Sequence, residues 1–157
     1  MKLTLHADYG LRTLLFLALE PQRVVSIGEI AGAYGISNHH LAKVAQALGR
    51  TGFVEIHRGT SGGLRLVRDP KEIRIGDVVR ALEPNLSLVE CFDPETNTCP
   101  ILPVCGLRGV LGDARDAFMA VLDRATLADA LGKPRSLSKL VSLREPASPP
   151  AKRAQRP

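Results

Sequence analysis

Three cysteines lie close together in the second half of the chain. Cys91, Cys99 and Cys105 are separated by seven and five residues, in a segment that contains three prolines. Clustered cysteines in an odd number indicate metal or redox chemistry rather than a disulfide framework. The prolines limit the shapes of the loop, so three thiolates can face one soft metal centre. One coordination position of a cluster is then left without a cysteine, and its ligand is another residue or is absent.

Other interpretations of the cysteines remain open. The spacing contains no Cys-x-x-Cys pair and does not match a zinc finger, but structural zinc and plain thiol oxidation are both compatible with it. A role as inert core residues is disfavoured, because the loop 90–106 is polar and rich in proline rather than apolar.

A helix-turn-helix is predicted upstream of the cysteines. Apolar spacing predicts a helix over 6–20 and a second helix from Ser26, which stands three residues before a glutamate as in a capping box. Gly35 ends this second helix, and Ser37 begins a third. Two helices joined by a short turn that contains glycine, over about 26–50, are typical of a helix-turn-helix.

The third predicted helix has an apolar side and a polar side. Leu41, Val44, Ala45 and Leu48 recur at helical spacing and predict the buried stripe. The polar side carries groups that can donate hydrogen bonds to bases or phosphates. The candidate DNA contacts in and just before this helix are Ser37, Asn38, His39, His40, Lys43, Gln46 and Arg50.

A β-hairpin is predicted directly after the helix-turn-helix. Residues 53–56 and 64–67 alternate as strands do, and a basic turn rich in glycine joins them. A hairpin over about 53–67 is typical of the wing of a winged helix, and the alternative is a plain solvated hairpin. Glycine lets the backbone approach a groove closely, and arginine suits a narrow minor groove. The candidate wing contacts are Arg58, Thr60, Ser61, Gly62, Gly63 and Arg65.

The net charge of +5 is unevenly distributed. Residues 1–68 carry eight Lys and Arg against four acids, residues 69–132 carry six against eleven, and residues 133–157 carry seven against one. The basic final segment therefore raises the net charge without indicating a partner. The stretches 37–50 and 56–68, which hold the third helix and the wing, contain no acid and are the better indication of DNA binding.

Four segments are expected along the chain. They are a winged helix-turn-helix domain over 1–83, a cluster-binding loop over 84–106, a dimerisation helix region over 107–131 and a basic, flexible tail over 132–157, of which the last dozen residues are expected to be disordered. The helix predicted at 107–124 has one apolar face, for which a second copy of the chain is the simplest partner. The expected fold class is mainly α with a small β-hairpin wing.

Several classes of protein are disfavoured by the sequence. There is no Ser/His/Asp arrangement, nucleotide-binding loop or paired-carboxylate motif, so an enzyme is not expected. An electron carrier has no use for a helix-turn-helix and a wing. No apolar stretch approaches the ~20 residues that span a bilayer, and the N-terminus lacks a signal-peptide core. We therefore expect a cytoplasmic protein.

Four stretches of the sequence resemble a known family. LTLHADYGLRTLLFLA, the wing sequence SGGLRL, IGDVVRALEP and the clustered cysteines are together similar to the NsrR-type, nitric-oxide-sensitive repressors. These belong to a family of winged-helix iron–sulfur regulators that also includes IscR. The resemblance extends over residues 1–131. It implies an iron–sulfur cluster on Cys91, Cys99 and Cys105, nitric oxide as the signal, and control of nitric-oxide detoxification genes.

The resemblance also bears on the fourth ligand. In IscR-like members a histidine three residues after the last cysteine serves a 2Fe–2S cluster, but Arg108 stands there in this chain and cannot ligate. In some NsrR-type proteins an aspartate from the first helix of the other subunit completes a 4Fe–4S cluster, and Asp8 matches it. The expected cofactor is thus 4Fe–4S, with 2Fe–2S as the alternative. Asp8 has a second interpretation, because any carboxylate is favourable in a first helical turn.

The hypothesis that follows is a homodimeric repressor bound to double-stranded DNA. Its two recognition helices would enter successive major grooves of an inverted repeat, and the wings would contact the flanking minor groove. One alternative is an IscR-like 2Fe–2S regulator of iron–sulfur cluster assembly. Another is a winged-helix regulator that uses zinc or thiol oxidation.

Overall fold

The computed structural model describes residues 2–59 and 61–142, which form a mainly helical fold with one β-hairpin. The helices are α1 (Leu5–Leu19), α2 (Ile27–Tyr34), α3 (Asn38–Arg50), α4 (Ile75–Leu82), α5 (Gly106–Arg124), α6 (Leu127–Ala130) and α7 (Pro134–Ser142). The strands are β1 (Val54–His57) and β2 (Gly63–Leu66). Short 3-10 turns lie at Pro70–Glu72, Glu90–Phe92 and Leu102–Val104. The fold class expected from the sequence is confirmed.

Local capping fixes the ends of the first three helices. Thr4, Ser26 and Ser37 each accept a hydrogen bond from the backbone N–H three residues later, at 3.1, 3.1 and 3.3 Å. Such caps satisfy donors that a first helical turn leaves free, and each contributes about 1 kcal/mol. Gly35 ends α2 with a φ of 67°, a left-handed conformation that favours glycine. The turn between α2 and α3 is therefore set by residues next to it in the sequence.

The hydrophobic core lies where α1, α2, α3 and α4 meet the hairpin. Leu14 and Leu17 of α1 and Val44 and Leu48 of α3 are at most 1% exposed. Burial of each such aliphatic side chain contributes about 1.5–3 kcal/mol. The other large side chains that are almost completely buried are Val25, Ile30, Leu64, Ile73, Val78, Val79 and Leu127.

The hairpin is attached to the segment that precedes α2. β1 and β2 are antiparallel, and Ile56 pairs with Leu64. Leu64 also exchanges two backbone hydrogen bonds with Val25, of 2.9 and 2.8 Å. At Gly63 the two segments approach so closely that an added Cβ would lie 2.3 Å from the carbonyl oxygen of Val25. The wing is thereby held against the body of the domain.

An ion pair joins α5 to α4. Arg80 donates two hydrogen bonds to the carboxylate of Asp123, at 2.7 and 2.5 Å. Arg74 donates to the backbone carbonyl of Asp123 at 2.6 Å. The hydrogen bond from Arg80 holds the pKa of Asp123 below its usual value. Met119 is the one buried residue of α5, so these polar contacts and the backbone hydrogen bond from the first residue of α4 to Ala125 add to a small apolar contact where α5 meets the domain.

Helix α7 lies within 132–157, the segment predicted to be a flexible tail. Leu137 and Val141 are one helical turn apart, and Val141 packs against the core, with α7 in contact with α2. The proline, serine and basic residues of this segment conceal that short apolar repeat in the sequence. Residues 143–157, which include the dozen expected to be disordered, lie outside the described residues.

Replacement of Gly63 by alanine tests the attachment of the wing. The new Cβ would meet backbone atoms of Val25 that cannot move without disturbing its pairing with Leu64. We therefore expect Gly63→Ala to lower the free energy of unfolding by about 1–3 kcal/mol, measured by urea unfolding.

Gly109→Ala is the matched control for this change. A Cβ at Gly109 has no atom within 4 Å among the described residues, and alanine is favoured over glycine inside a helix by about 0.5–1 kcal/mol. Its stability should equal or exceed that of the wild type. A Gly63→Ala protein as stable as the wild type would contradict the close packing.

Candidate DNA-binding surface and cysteine loop

Helix α3 presents a polar side without acidic residues to the solvent. Lys43 and Arg50 supply its positive charge, while Leu41 and Val44 on the opposite side are buried. Such a helix can place hydrogen-bond donors against base edges in a major groove and against phosphates. All seven positions predicted here are exposed, namely Ser37, Asn38, His39, His40, Lys43, Gln46 and Arg50.

The first turn of α3 also contacts α1. The ring centroids of His40 and Tyr9 are 6.4 Å apart, and those of His39 and His40 are 6.0 Å apart. His40 therefore lies where α3, the candidate DNA-contacting helix, meets the helix that carries Asp8.

The tip of the wing exposes a charged and a hydroxyl side chain. Arg58 and Ser61 are both exposed. Between them Gly59 has a φ of 106°, which strongly favours glycine, and Thr60 lies outside the described residues. An exposed arginine at the tip of a hairpin is suitably placed for a phosphate or a narrow minor groove.

Two of the predicted wing contacts are constrained by packing within the domain. A Cβ on Gly62 would lie 2.6 Å from the carbonyl oxygen of His57. Gly63 is buried against Val25. These two glycines permit close approach between parts of the protein itself, whereas the sequence suggested approach to DNA.

The charge of Arg65 is already paired. Its guanidinium donates to the carboxylate of Glu55 at 2.8 Å across the hairpin. This hydrogen bond holds the pKa of Glu55 below its ordinary value. Arg65 therefore brings less net positive charge to the surface than the sequence suggested.

A shallow groove between α3 and β1 contains a side chain that the sequence did not single out. Gln46, Gly49 and Arg50 line it on one side and Ile56 on the other, and Ile56 is 45% exposed. Ile56 lies two residues after the buried Val54 in β1, yet the structure leaves it exposed beside α3. An apolar side chain there is suited to a thymine methyl group.

The three cysteines occupy different parts of one loop. Cys91 lies in the 3-10 turn Glu90–Phe92, and Cys105 directly precedes the first turn of α5. The backbone N–H of Cys99 donates to the side-chain oxygen of Asn97 at 3.2 Å. All three are free thiols of intermediate exposure.

Two arginines of α5 contact the turn that carries Cys91. Arg108 Nε donates to the carbonyl oxygen of Cys91 at 3.2 Å. The guanidinium of Arg115 lies over the ring of Phe92, 5.0 Å from its centroid. The first cysteine is thereby attached to the helix that begins after the last one.

Asp8 lies in the first turn of α1, where it pairs with Arg12. The Nε and Nη2 atoms of Arg12 lie 3.1 and 2.8 Å from the two carboxylate oxygens. This arrangement orients the carboxylate and leaves it half-buried. An i,i+4 pair of this kind also stabilises a helix that has no metal ligand.

The three cysteine thiols are the right kind of ligand for an iron–sulfur cluster, but in the single chain they are not gathered around one point. Among residues 2–59 and 61–142, no three His, Cys, Asp or Glu side chains gather closely enough to hold a metal ion. Three free thiols in a single loop are nevertheless the soft donors that such clusters require. The start of α5 beside Cys105 adds free N–H groups that favour negative charge.

Comparison with known proteins decides the family. The profile of the Rrf2 family, described as "Iron-dependent Transcriptional regulator", matches residues 3–133. The chain belongs to the Rrf2 family. It is 49% identical over 146 residues to the HTH-type transcriptional regulator NsrR of Bacillus subtilis (strain 168), which covers 92% of this chain and 100% of that protein.

Other relatives and solved structures agree with this assignment. NsrR of Geobacillus kaustophilus (strain HTA426) is 50% identical over 145 residues, which is 92% of this chain and 99% of the relative. CymR of B. subtilis, the global cysteine regulator of that organism, superposes with a TM-score of 0.67 at 31% identity, over 83% of this chain and 95% of CymR. IscR of T. potens gives a TM-score of 0.67 at 29% identity, over 83% and 86% of the two chains.

These similarities confirm the predicted class of protein. An Rrf2-family chain with a helix-turn-helix and a wing is a DNA-binding transcriptional regulator of the NsrR and IscR type, and it is not an enzyme. The sequence resemblance to NsrR-type regulators is likewise confirmed. In the part of the chain that the structure describes, no helix has both the length and the apolar character to cross a bilayer.

Substitutions at Lys43 and Arg58 test the candidate DNA surface. If each side chain neutralises a phosphate, Lys43→Ala and Arg58→Ala should each weaken binding to duplex DNA and reduce the slope of log K against log salt by about 1. Fluorescence anisotropy over a range of salt concentrations measures this slope. Arg124→Ala removes an equal charge from α5 and should leave the slope unchanged. If Lys43→Ala and Arg58→Ala have the same slope as Arg124→Ala, the surface of α3 and the wing does not contact DNA phosphates.

Proposed function

We propose that this Rrf2-family regulator is a repressor that depends on an iron–sulfur cluster and releases DNA in response to nitric oxide. The genes controlled would be those of nitric-oxide detoxification. The observation that carries the proposal is one loop with three free cysteines attached to a winged helix-turn-helix. The names of the NsrR relatives and the family description support it.

The proposed ligands are soft thiolates and one oxygen donor. Cys91, Cys99 and Cys105 would hold the cluster, preferably 4Fe–4S, and Asp8 of the partner subunit would be the fourth ligand. When bound, such a cluster supplies iron that reacts with nitric oxide, and a carboxylate oxygen holds iron less firmly than a thiolate does. Arg12 keeps the Asp8 carboxylate in one orientation, which favours its use as a ligand.

A second copy of the chain is the proposed partner of α5. Leu107, Val110, Ala114, Ala117 and Val121 recur at spacings of three and four, and all five are exposed in the single chain. This is the spacing of a seam between two packed helices. The two alanines in its centre permit close approach. In the proposed homodimer, the cysteine loop of one subunit lies against α1 of the other.

The proposed dimer reads DNA through both copies of α3. Two recognition helices related by a two-fold axis fit successive major grooves of an inverted repeat, and the exposed Arg58 of each wing fits the flanking minor groove. Because α1 contacts α3 through Tyr9 and His40, a change at Asp8 has a short path to the recognition helix.

A 2Fe–2S regulator of the IscR type is the second candidate, and the structural similarity to T. potens IscR favours it. Arg108 argues against this candidate, because it stands three residues after Cys105 and its guanidinium is engaged with the Cys91 carbonyl. Iron and sulfide content separates the two, at about four or about two of each per chain. Zinc or thiol oxidation would give neither.

Anaerobic reconstitution tests the proposal. The wild type should contain about four iron and four sulfide per chain and show a visible absorption spectrum that nitric oxide changes. Its complex with an operator should dissociate in the same step. Cys99→Ser should fail to assemble a stable cluster. Wild-type protein that takes up zinc but no iron and sulfide would contradict the proposal.

The role of Asp8 is examined in the same experiment with a matched control. Asp8 and Asp77 are both carboxylates in a first helical turn, paired with Arg12 and Arg80 respectively. A ligand role predicts a changed spectrum and faster cluster loss in Asp8→Ala and a normal cluster in Asp77→Ala. If the two variants have the same spectrum and the same rate of cluster loss, Asp8 is not a ligand and only stabilises its helix.

A further inference from the structure

One turn of the cysteine loop is fixed to α5 at two points. Arg108 donates to the backbone carbonyl of Cys91, and Arg115 packs its guanidinium on the ring of Phe92. Cys91 and Phe92 are neighbours in the 3-10 turn Glu90–Phe92. A hydrogen bond and a cation–π contact on adjacent residues restrict both the position and the rotation of this turn.

The two arginines reach the same turn because of their spacing. Arg108 and Arg115 are seven residues apart, which is about two helical turns, so they lie on one side of α5. Cys105 precedes the same helix. The positions of Cys91 and Cys105 are therefore both fixed relative to α5, although 13 residues separate the two cysteines in the sequence.

The third cysteine is held differently. The backbone of Cys99 is bonded to Asn97 and to Leu102, both within the loop. These two hydrogen bonds do not join Cys99 to α5.

We infer that Arg108 and Arg115 are positioning residues, which fix Cys91 relative to Cys105 before a cluster is bound. The inference rests on the proposed cluster, and neither arginine is a ligand in it. Ligands that are already placed bind without the entropy loss of ordering a free loop. Arg108 stands where IscR-like proteins have a histidine ligand. It would thus contribute to cluster binding by holding the backbone of Cys91 and not by binding iron.

Positive charge near the cluster is the competing explanation for any effect of these arginines. Arg115 is already paired with the Asp116 carboxylate, at 2.9 Å from Nε and 2.8 Å from Nη2, so it adds little net charge. Substitution of Phe92 removes the second contact without changing any charge. Phe92→Leu therefore separates positioning from electrostatics.

Hydrogen exchange in the cluster-free protein is the direct test. The amides of Phe92 and Asp93 donate to the carbonyl oxygens of Val89 and Glu90 at 3.1 and 3.0 Å, so their exchange reports opening of this turn. Loss of one contact should speed their exchange about fivefold in Arg108→Met and in Phe92→Leu. Arg124→Met removes the same charge from α5 and should exchange like the wild type. Unchanged exchange in Arg108→Met would overturn the inference.

Iron release from the reconstituted protein to a chelator is the second readout. Both Arg108→Met and Phe92→Leu should release iron about fivefold faster than the wild type, and Arg124→Met at the wild-type rate. Faster iron release in Arg108→Met and Arg124→Met but not in Phe92→Leu would assign the effect to charge and overturn the inference. Faster exchange with unchanged release would also overturn it. A wild type that binds no cluster would contradict the proposed function instead, while the exchange data still test the contact.

Discussion

The junction of α5 with α4 is the contact on which the relation between the cysteine loop and the rest of the domain depends, and it combines buried side chains, backbone hydrogen bonds and the Arg80–Asp123 ion pair. α5 carries the cysteine loop at its start, yet Met119 is its one buried residue. Its direction is therefore set near its end, by the packing of Met119, by backbone hydrogen bonds of the residues that follow the helix, and by the bidentate contact at Asp123, which is exposed and contributes little by itself. Gly76 makes room for this contact, since a Cβ there would lie 1.9 Å from a carboxylate oxygen of Asp123. The placement of Cys105 follows from this junction through the length of the helix.

Helix α4 belongs to the core of the DNA-binding half, and its C-cap residue Glu83 also contacts the start of α1. Glu83 accepts hydrogen bonds from the backbone N–H and the hydroxyl of Thr4, at 2.6 and 3.1 Å, where α1 begins. α1 in turn meets α3 through Tyr9 and His40. Packed helices with a side-chain contact at each junction thus connect the cysteine loop to α3. Contacts of this kind transmit a signal only if both sites bias the same pair of arrangements.

Local signals made the DNA-binding half predictable from the sequence. Hydroxyl caps at Ser26 and Ser37 and the glycine at 35 define their helix ends through neighbours in the chain, and no distant contact is needed. Features that depend on tertiary packing were not accessible. The packing of α7 on α2 joins segments about 100 residues apart in the sequence. The same holds for Arg108, whose hydrogen bond to Cys91 spans 17 residues.

We expect DNA affinity to depend on the cluster held by the cysteine loop, so the decisive measurement is the Kd for DNA. It is measured by anaerobic titration of an inverted-repeat duplex, obtained by in vitro selection, with reconstituted protein before and after exposure to nitric oxide. We expect the Kd to rise by about 5- to 150-fold after exposure, the usual range of coupling between two sites, and the Kd of Cys99→Ser not to respond. An unchanged Kd for reconstituted wild-type protein after exposure would contradict the account.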